Sequence, residues 1–434
     1  MSKMKMMSAR DKKKDYLVPR LRFPEFRDTG EWGKVQLSKI AIPVSERATD
    51  GDADAVLTLS AEHGVVTQGS YFGKKIAGDD VTRYIKIKNN DFVYNDRTTK
   101  FYKYGTIKRL SRHTYGIVSP IYKCFRFNDE EIPVFWEWYF ESGEHDTQLH
   151  NIVNEGAKAG RFNISIQKFL SIFVYFPDKS EQQRIADCLS SLDERIAAET
   201  TKLDRLKDHK NGLLKQLFPA EGETLPQLRF PEFRDGEGWQ KRFLDEYAEV
   251  VRGGSPRPID NFLTTERDGL NWLKIGDINK EAKYVVATME KVRAEALSKT
   301  REINPGDLIL SNSMSFGRPY ISKIKACIHD GWIAIKKISK KLYVEYIYYL
   351  ISSPFSQQYF TSNAAGSGVQ NLNADIIKSL PILFPNILEQ QRIADCLSSL
   401  DELIASQTQK IDLLKDHKKG LMQQLFPCID EVRA

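Results

Sequence analysis

The sequence predicts an α+β chain: two mixed α/β bodies joined by two long helices, which pair as an antiparallel coiled coil within the molecule in a pseudo-two-fold repeat. Three observations carry this. A 39-residue segment, EQQRIADCLSSLDERIAAETTKLDRLKDHKNGLLKQLFP, starts at residue 181 and returns at 389 with 30 of 39 positions identical. Its apolar residues recur at alternating intervals of four and three, the mark of a helical seam. The stretches before each copy are divergent, β-rich and cut by Gly, Asn and Asp.

The elements follow in chain order. Residues 1–18 are basic, lack the apolar core of a secretory signal, and read as a disordered tail. A leader, PRLRFPEFRDTGEW, opens the first body (19–180) and returns as PQLRFPEFRDGEGW in the second (220–388). Each body reads as a curved or barrel-like sheet with a few helices, one of them aromatic, near 132–142 and 344–353. The first long helix (181–219) carries the seam Ile185, Leu189, Leu192, Ile196, Leu203, Leu206, Leu213 and Leu217, broken by Glu199 and Lys210. The second (389–427) carries Ile393, Leu397, Leu400, Ile404, Ile411, Leu414, Leu421 and Leu425, broken by Gln407 and Lys418. At 1.5 Å per residue each is a rod of about 55 Å. Proline after phenylalanine ends both, and 428–434 form a short tail. Neither helix can bury its seam alone, so pairing the two copies is the economical solution; packing of each on its own body is the alternative. The identity also covers positions read as outward: Asp187, Ser190, Ser191, Asp193, Lys207, Asp208 and His209. Such a shared face suits two identical partners.

Composition narrows the function. The chain has 434 residues, 41% hydrophobic, a net charge of +6 and five cysteines, none in a CxxC pair. That excludes wholesale disorder, a disulfide scaffold and a cysteine zinc site, and fits a cytoplasmic location. No apolar run is long enough to span a membrane. There is no GxxxxGK[ST] loop. VRGGSPRP (251–258) reads as a turn, SPIY (119–122) has one proline too few for an amino-methyltransferase motif, and the seven histidines are scattered. No catalytic residue and no metal ligand set is assigned.

Charge placement says more. Residues 83–126 hold eleven Lys/Arg against two acids, with nine aromatics interleaved, and 291–341 hold eleven against four. Clustered cations attract phosphates by counterion release, and Arg, Asn and Gln on loops can read base edges. Ordinary sheets with outward lysines would give a similar pattern, but its recurrence in both bodies favours nucleic acid. The candidate contacts are Arg83, Asn95, Arg97, Lys100, Lys103, Lys108, Arg109 and Arg112 in the first body. In the second they are Arg257, Lys274, Ser311, Asn312, Arg318, Lys323 and Lys325.

The entries into the helices, YFPDKSEQQRIADCLSSLDERI and LFPNILEQQRIADCLSSLDELI, together with the two divergent bodies, resemble the specificity subunits of type I restriction–modification systems. PGDLILS (305–311) with Gly317 and Arg318, and GVQNLN (368–373), also resemble stretches of that family's recognition domains; the first body departs from them, with GRFNIS. The resemblance implies a non-catalytic reader of double-stranded DNA. Each body would be a target recognition domain for one half of a bipartite, non-palindromic site, with the coiled coil as spacer and dock for two methyltransferase subunits. S-adenosylmethionine, ATP and Mg would then sit on partners, including motor–nuclease subunits where present, and this chain would bind no cofactor. The alternatives are a coiled-coil scaffold, a DNA-binding protein outside restriction–modification, or an enzyme carrying both roles. The last needs a catalytic domain of some 200 residues, for which no segment is left.

Overall fold

The structure, a computed structural model, describes residues 17–73, 78, 80–99, 102–152, 162–312, 316–364 and 371–427. The chain divides into two compact units, one of residues 1–198 with 410–434 and one of 199–409. Each unit thus holds one body and a piece of each long helix. No helix among the described residues is long and apolar enough to cross a membrane.

In the first unit, the strand that follows the leader, Gly33–Gln36, pairs antiparallel with Phe173–Phe176, the strand that feeds the long helix. A four-stranded antiparallel sheet runs in the order Ala41–Pro43, Lys123–Phe127, Phe92–Asn95, Thr106–Arg109. Two ribbons, Leu57–Ser60 with Gly64–Thr67 and Ile85–Lys88 with Tyr115–Val118, stand beside it. The aromatic helix runs Pro133–Ser142. Proline suits its first turn, and Gly143 ends it at φ +84°, a left-handed conformation that costs glycine little. Its Trp136 stacks on Phe127 with ring centroids 4.8 Å apart, and Phe135, Tyr139 and Phe140 close the same core. Full burial of such a ring stabilises by about 1.5–3 kcal/mol.

The second unit repeats the entry pairing, Gln240–Phe243 with Pro381–Phe384. Its body holds two five-stranded sheets. One runs Glu249–Arg252, Trp332–Lys336, Leu308–Ser311, Pro319–Ser322, Tyr284–Val285; the other Leu263–Thr264, Glu290–Val292, Leu270–Leu273, Ala326–Ile328, Arg301–Ile303. The helix Val344–Ser352 buries Tyr346, Ile347 and Tyr349 against the first sheet and the long helices. The expected single barrel-like sheet is replaced in each body by several small ones. The strands are only two to five residues long, so the breaks that marked them also stop them from closing.

The long helices run Lys179–Leu217 and Ile387–Leu425. Asp178 caps the first by accepting the Glu181 N–H at 2.9 Å, and Asn386 caps the second through the Glu389 N–H at 3.0 Å. Every seam position is buried or half-buried. The pairing is antiparallel. Within the second unit Gln407 meets Glu199 while Lys210 meets Asp401, so one helix ascends as the other descends. Within the first, Lys418 meets Asp193 in the equivalent contact.

The phenylalanine that ends each rod does more than precede a proline. Phe426 enters the first unit's core, 6.0 Å from Trp32 and 5.7 Å from Phe135. Phe218 enters the second unit's core, 5.4 Å from Tyr346. Each body is therefore closed by the end of the helix that follows the other body.

Candidate nucleic-acid interface

The duplicated leader and the Glu-Gln pair lock each long helix onto its body. The Arg22 guanidinium donates to Glu181 through Nε at 2.8 Å and Nη2 at 2.6 Å, and to the Gly30 carbonyl at 2.6 Å. Arg229 does the same to Glu389, at 2.7 and 2.8 Å. Both carboxylates are almost wholly buried, at 1% exposure, and the hydrogen bond to each raises the arginine's pKa further. A bidentate pair fixes geometry as well as charge. The adjoining glutamines turn back: Gln182 donates to the Pro177 carbonyl and Gln390 to that of Pro385, each at 2.9 Å.

The coil is tied to each body by one repeated device. Trp138 donates to Ser190 at 3.3 Å, and Lys418 sits 4.1 Å over the Trp138 ring while ion-pairing with Asp193. In the second unit Tyr349 shares a 3.1 Å hydrogen bond with Ser398, and Lys210 lies 5.6 Å over its ring and pairs with Asp401 at 2.5 Å. This corrects the reading of Ser190 and Asp193 as outward: both serve internal contacts. Asp187, Ser191, Lys207, Asp208 and His209 are exposed, as are their counterparts Asp395, Ser399, Lys415, Asp416 and His417.

In the second body, loops converge at one end of the larger sheet. The Glu249–Arg252 and Leu308–Ser311 strands end where Trp332–Lys336 begins, with Ser311 opposite Trp332 and Arg252 opposite Ile333. Asp330 holds this end together. Ser255 donates to it at 3.1 Å, Arg257 at 3.3 Å, and Asn312 donates to its carbonyl at 3.3 Å. Burial alone would raise the Asp330 pKa, but His329, Ser255 and Arg257 outweigh it and hold the carboxyl below its usual value. Arg257, Lys274 and His329 line a common cavity of about 410 Å³ with Glu290 and Trp272. Arg257 and Lys274 are thus brought together. Asn312 and Ser311, also named as candidate contacts, are buried at this end of the sheet. Arg318, Lys323 and Lys325 go elsewhere: to Glu281 at 3.6 Å, over the Tyr284 ring at 4.3 Å, and to Glu302 at 3.0 Å.

The first body corrects the charge count. Of its eleven cations, Lys86 pairs with Asp52, Lys108 with Glu141, Arg109 with Glu137, Lys123 with Asp96 and Arg126 with Asp91. Burial opposes the Lys108 charge, and Glu141 overrides it and raises the lysine's pKa. Lys108 and Arg109 are thus turned onto the Pro133–Ser142 helix. Asn95 is half-buried at the end of its strand and accepts the Arg97 N–H at 3.3 Å, making a turn. Arg83, Arg97, Lys103 and Arg112 are exposed. Lys100 lies outside the described residues.

The family model described as "Type I restriction modification DNA specificity domain" matches residues 84–208 and 236–416, which take in the later part of the first body, most of the second and most of both long helices. The chain belongs to this type I DNA specificity family. Among curated relatives, the type I restriction enzyme MjaVIII specificity subunit of Methanocaldococcus jannaschii is 23% identical over 274 residues, 59% of this chain and 62% of that one. The putative MjaX specificity subunit of the same organism is 24% identical over 259 residues, 58% and 57%. The matched part thus spans about three fifths of these relatives.

Solved type I specificity folds extend the likeness over nearly the whole chain. The S subunit from M. genitalium superposes with a TM-score of 0.52 at 13% identity, covering 95% of this chain and 99% of that one. A structure described as the "Structural basis underlying complex assembly and conformational transition of the type I R-M system" gives 0.59 at 18%, covering 91% and 97%. Within this specificity chain, sequence reasoning missed His329 and Glu290. The first is one of seven scattered histidines, and the second sits in a strand of ordinary composition.

Proposed function

We propose that this chain is the DNA-recognition subunit of a type I restriction–modification complex. Each body reads one half of a bipartite, non-palindromic target in double-stranded DNA, and the coil docks two methyltransferase subunits. The observation that carries this is a contrast inside one chain. The helices share most of their exposed residues, among them Asp187, Ser191, Lys207, Asp208 and His209, and differ at others such as Arg195 and Leu403, while the strand-end loops of the two bodies carry different side chains. A repeated surface suits two copies of one partner; divergent loops on rigid scaffolds suit two different half-sites.

The chain itself is non-catalytic in this reading. It positions a duplex so that partner subunits carrying S-adenosylmethionine modify a base in each half. Where motor–nuclease subunits using ATP and Mg are present, they join the same assembly, in the cytoplasm where the DNA is. Co-expression with the methyltransferase, followed by mass measurement of the complex, tests the docking claim. Two methyltransferases per chain are expected. A complex that stays one-to-one in excess methyltransferase would overturn the symmetric dock. Methylation by the chain alone would overturn its non-catalytic role.

A further inference from the structure

The cavity in the second body is built from four separated segments and carries a mixed set of groups. Its floor includes Trp272, 1% exposed, with the His329 ring 6.0 Å away, edge to face. Lys274 donates to Glu290 at 2.5 Å, and both side chains keep more than a third of their surface exposed, so neither is used up by the other. His329 Nδ1 lies 2.9 Å from the Gly331 N–H and 3.0 Å from Asp330 Oδ1, which anchors the ring at the cavity. Arg257, 82% exposed, is steered to this mouth by Asp330.

A site for phosphate alone would collect donors and exclude carboxylates. Here Glu290 stands among the cations and keeps more than a third of its surface exposed, so the cavity suits a ligand that offers a hydrogen-bond donor beside its acceptors. Base edges do so. In the major groove a G·C pair presents two acceptors on guanine, N7 and O6, next to the cytosine N4 amino group; lysine or arginine meets the former and glutamate the latter.

Resting on the DNA-reading function proposed above, we propose that this cavity reads one G·C pair of the half-site served by the second body, with Lys274 on guanine and Glu290 on cytosine. His329 and Arg257 flank them. The role is specificity-determining: it chooses the base pair.

The test is selection from a random-sequence duplex library, using the full chain co-expressed with methyltransferase subunits, as wild type and as Glu290→Gln and Lys274→Met. Wild type should enrich two half-sites. Each variant should lose at least about tenfold of its discrimination at one G·C pair of one half-site, with the other half-site and the gap unchanged. That unchanged half-site serves as the internal control for folding. Variants that enrich the wild-type motif, lose preference at an A·T pair, or weaken on all sequences alike overturn the cavity assignment alone. A wild-type complex that enriches no sequence overturns the DNA-reading function and this assignment with it.

Discussion

Gln407 donates its side-chain N–H to the Glu199 carboxylate at 2.7 Å and to the Glu199 main-chain carbonyl at 2.9 Å. The two residues are counterparts in the repeat, 208 positions apart, so at this crossing the coil meets its own copy. Most of the seam around them is the same in both helices. Here the copies differ, and the difference makes a donor face an acceptor. A coil of two first-type helices would set carboxylate against carboxylate.

Gln407→Glu should therefore destabilise the coil by about 1–3 kcal/mol at neutral pH, since a buried hydrogen bond is replaced by like charges. The loss should shrink in acid, as one carboxyl takes up a proton. Exchanging the two residues, Glu199→Gln with Gln407→Glu, should restore the melting temperature. An exchange variant no better than Gln407→Glu would show that the pairing is not reciprocal.

The Arg22–Glu181 clamp is buried on both sides, at 6% and 1% side-chain exposure. Arg22→Met strands a carboxylate in the core and should cost about 3–5 kcal/mol. Adding Glu181→Met should recover most of it, because two apolar chains of similar volume replace the pair. Denaturant titration of the three variants measures this, and a double variant as unstable as the single one would contradict the clamp.

Leu192→Glu with Leu400→Glu places two unpaired charges in the seam. The chain should lose its long-helix signal by circular dichroism or aggregate. An unmoved melting curve would refute the seam.

Asp146, beside the buried His145, is pushed up to about 6 by burial. A raised folded-state value means that its contribution is present below the ordinary carboxyl range and is lost as pH rises through 6. Asp146→Asn should therefore melt above wild type at pH 7.5, and the advantage should shrink as pH falls below 6 and be gone below about pH 3, where the wild-type carboxyl is protonated in both states. An advantage independent of pH would refute the assignment.

The heptads were legible because the seam's period is local: residues three and four apart decide it. The fold class followed from the same repeat. What could not be read was long-range. Arg22 and Glu181 are 159 residues apart, and nothing near either names the other. The plug role of Phe218 and Phe426 depends on a body elsewhere in the chain. The pairing of the first body's cations was hidden for the same reason. Glu137 and Glu141, which absorb Arg109 and Lys108, come from a helix outside the stretch. In the second body Arg257 and Lys274 could be named singly, but their meeting with Glu290 and His329 required the sheet that gathers them.

The most direct test of the whole account is to sequence the modified bases in DNA methylated by this chain with its methyltransferase. The account predicts one bipartite motif with two unlike half-sites, a fixed gap and one modified base in each half, appearing only when this chain is present. A single contiguous or palindromic motif, or the same methylation without this chain, would contradict it.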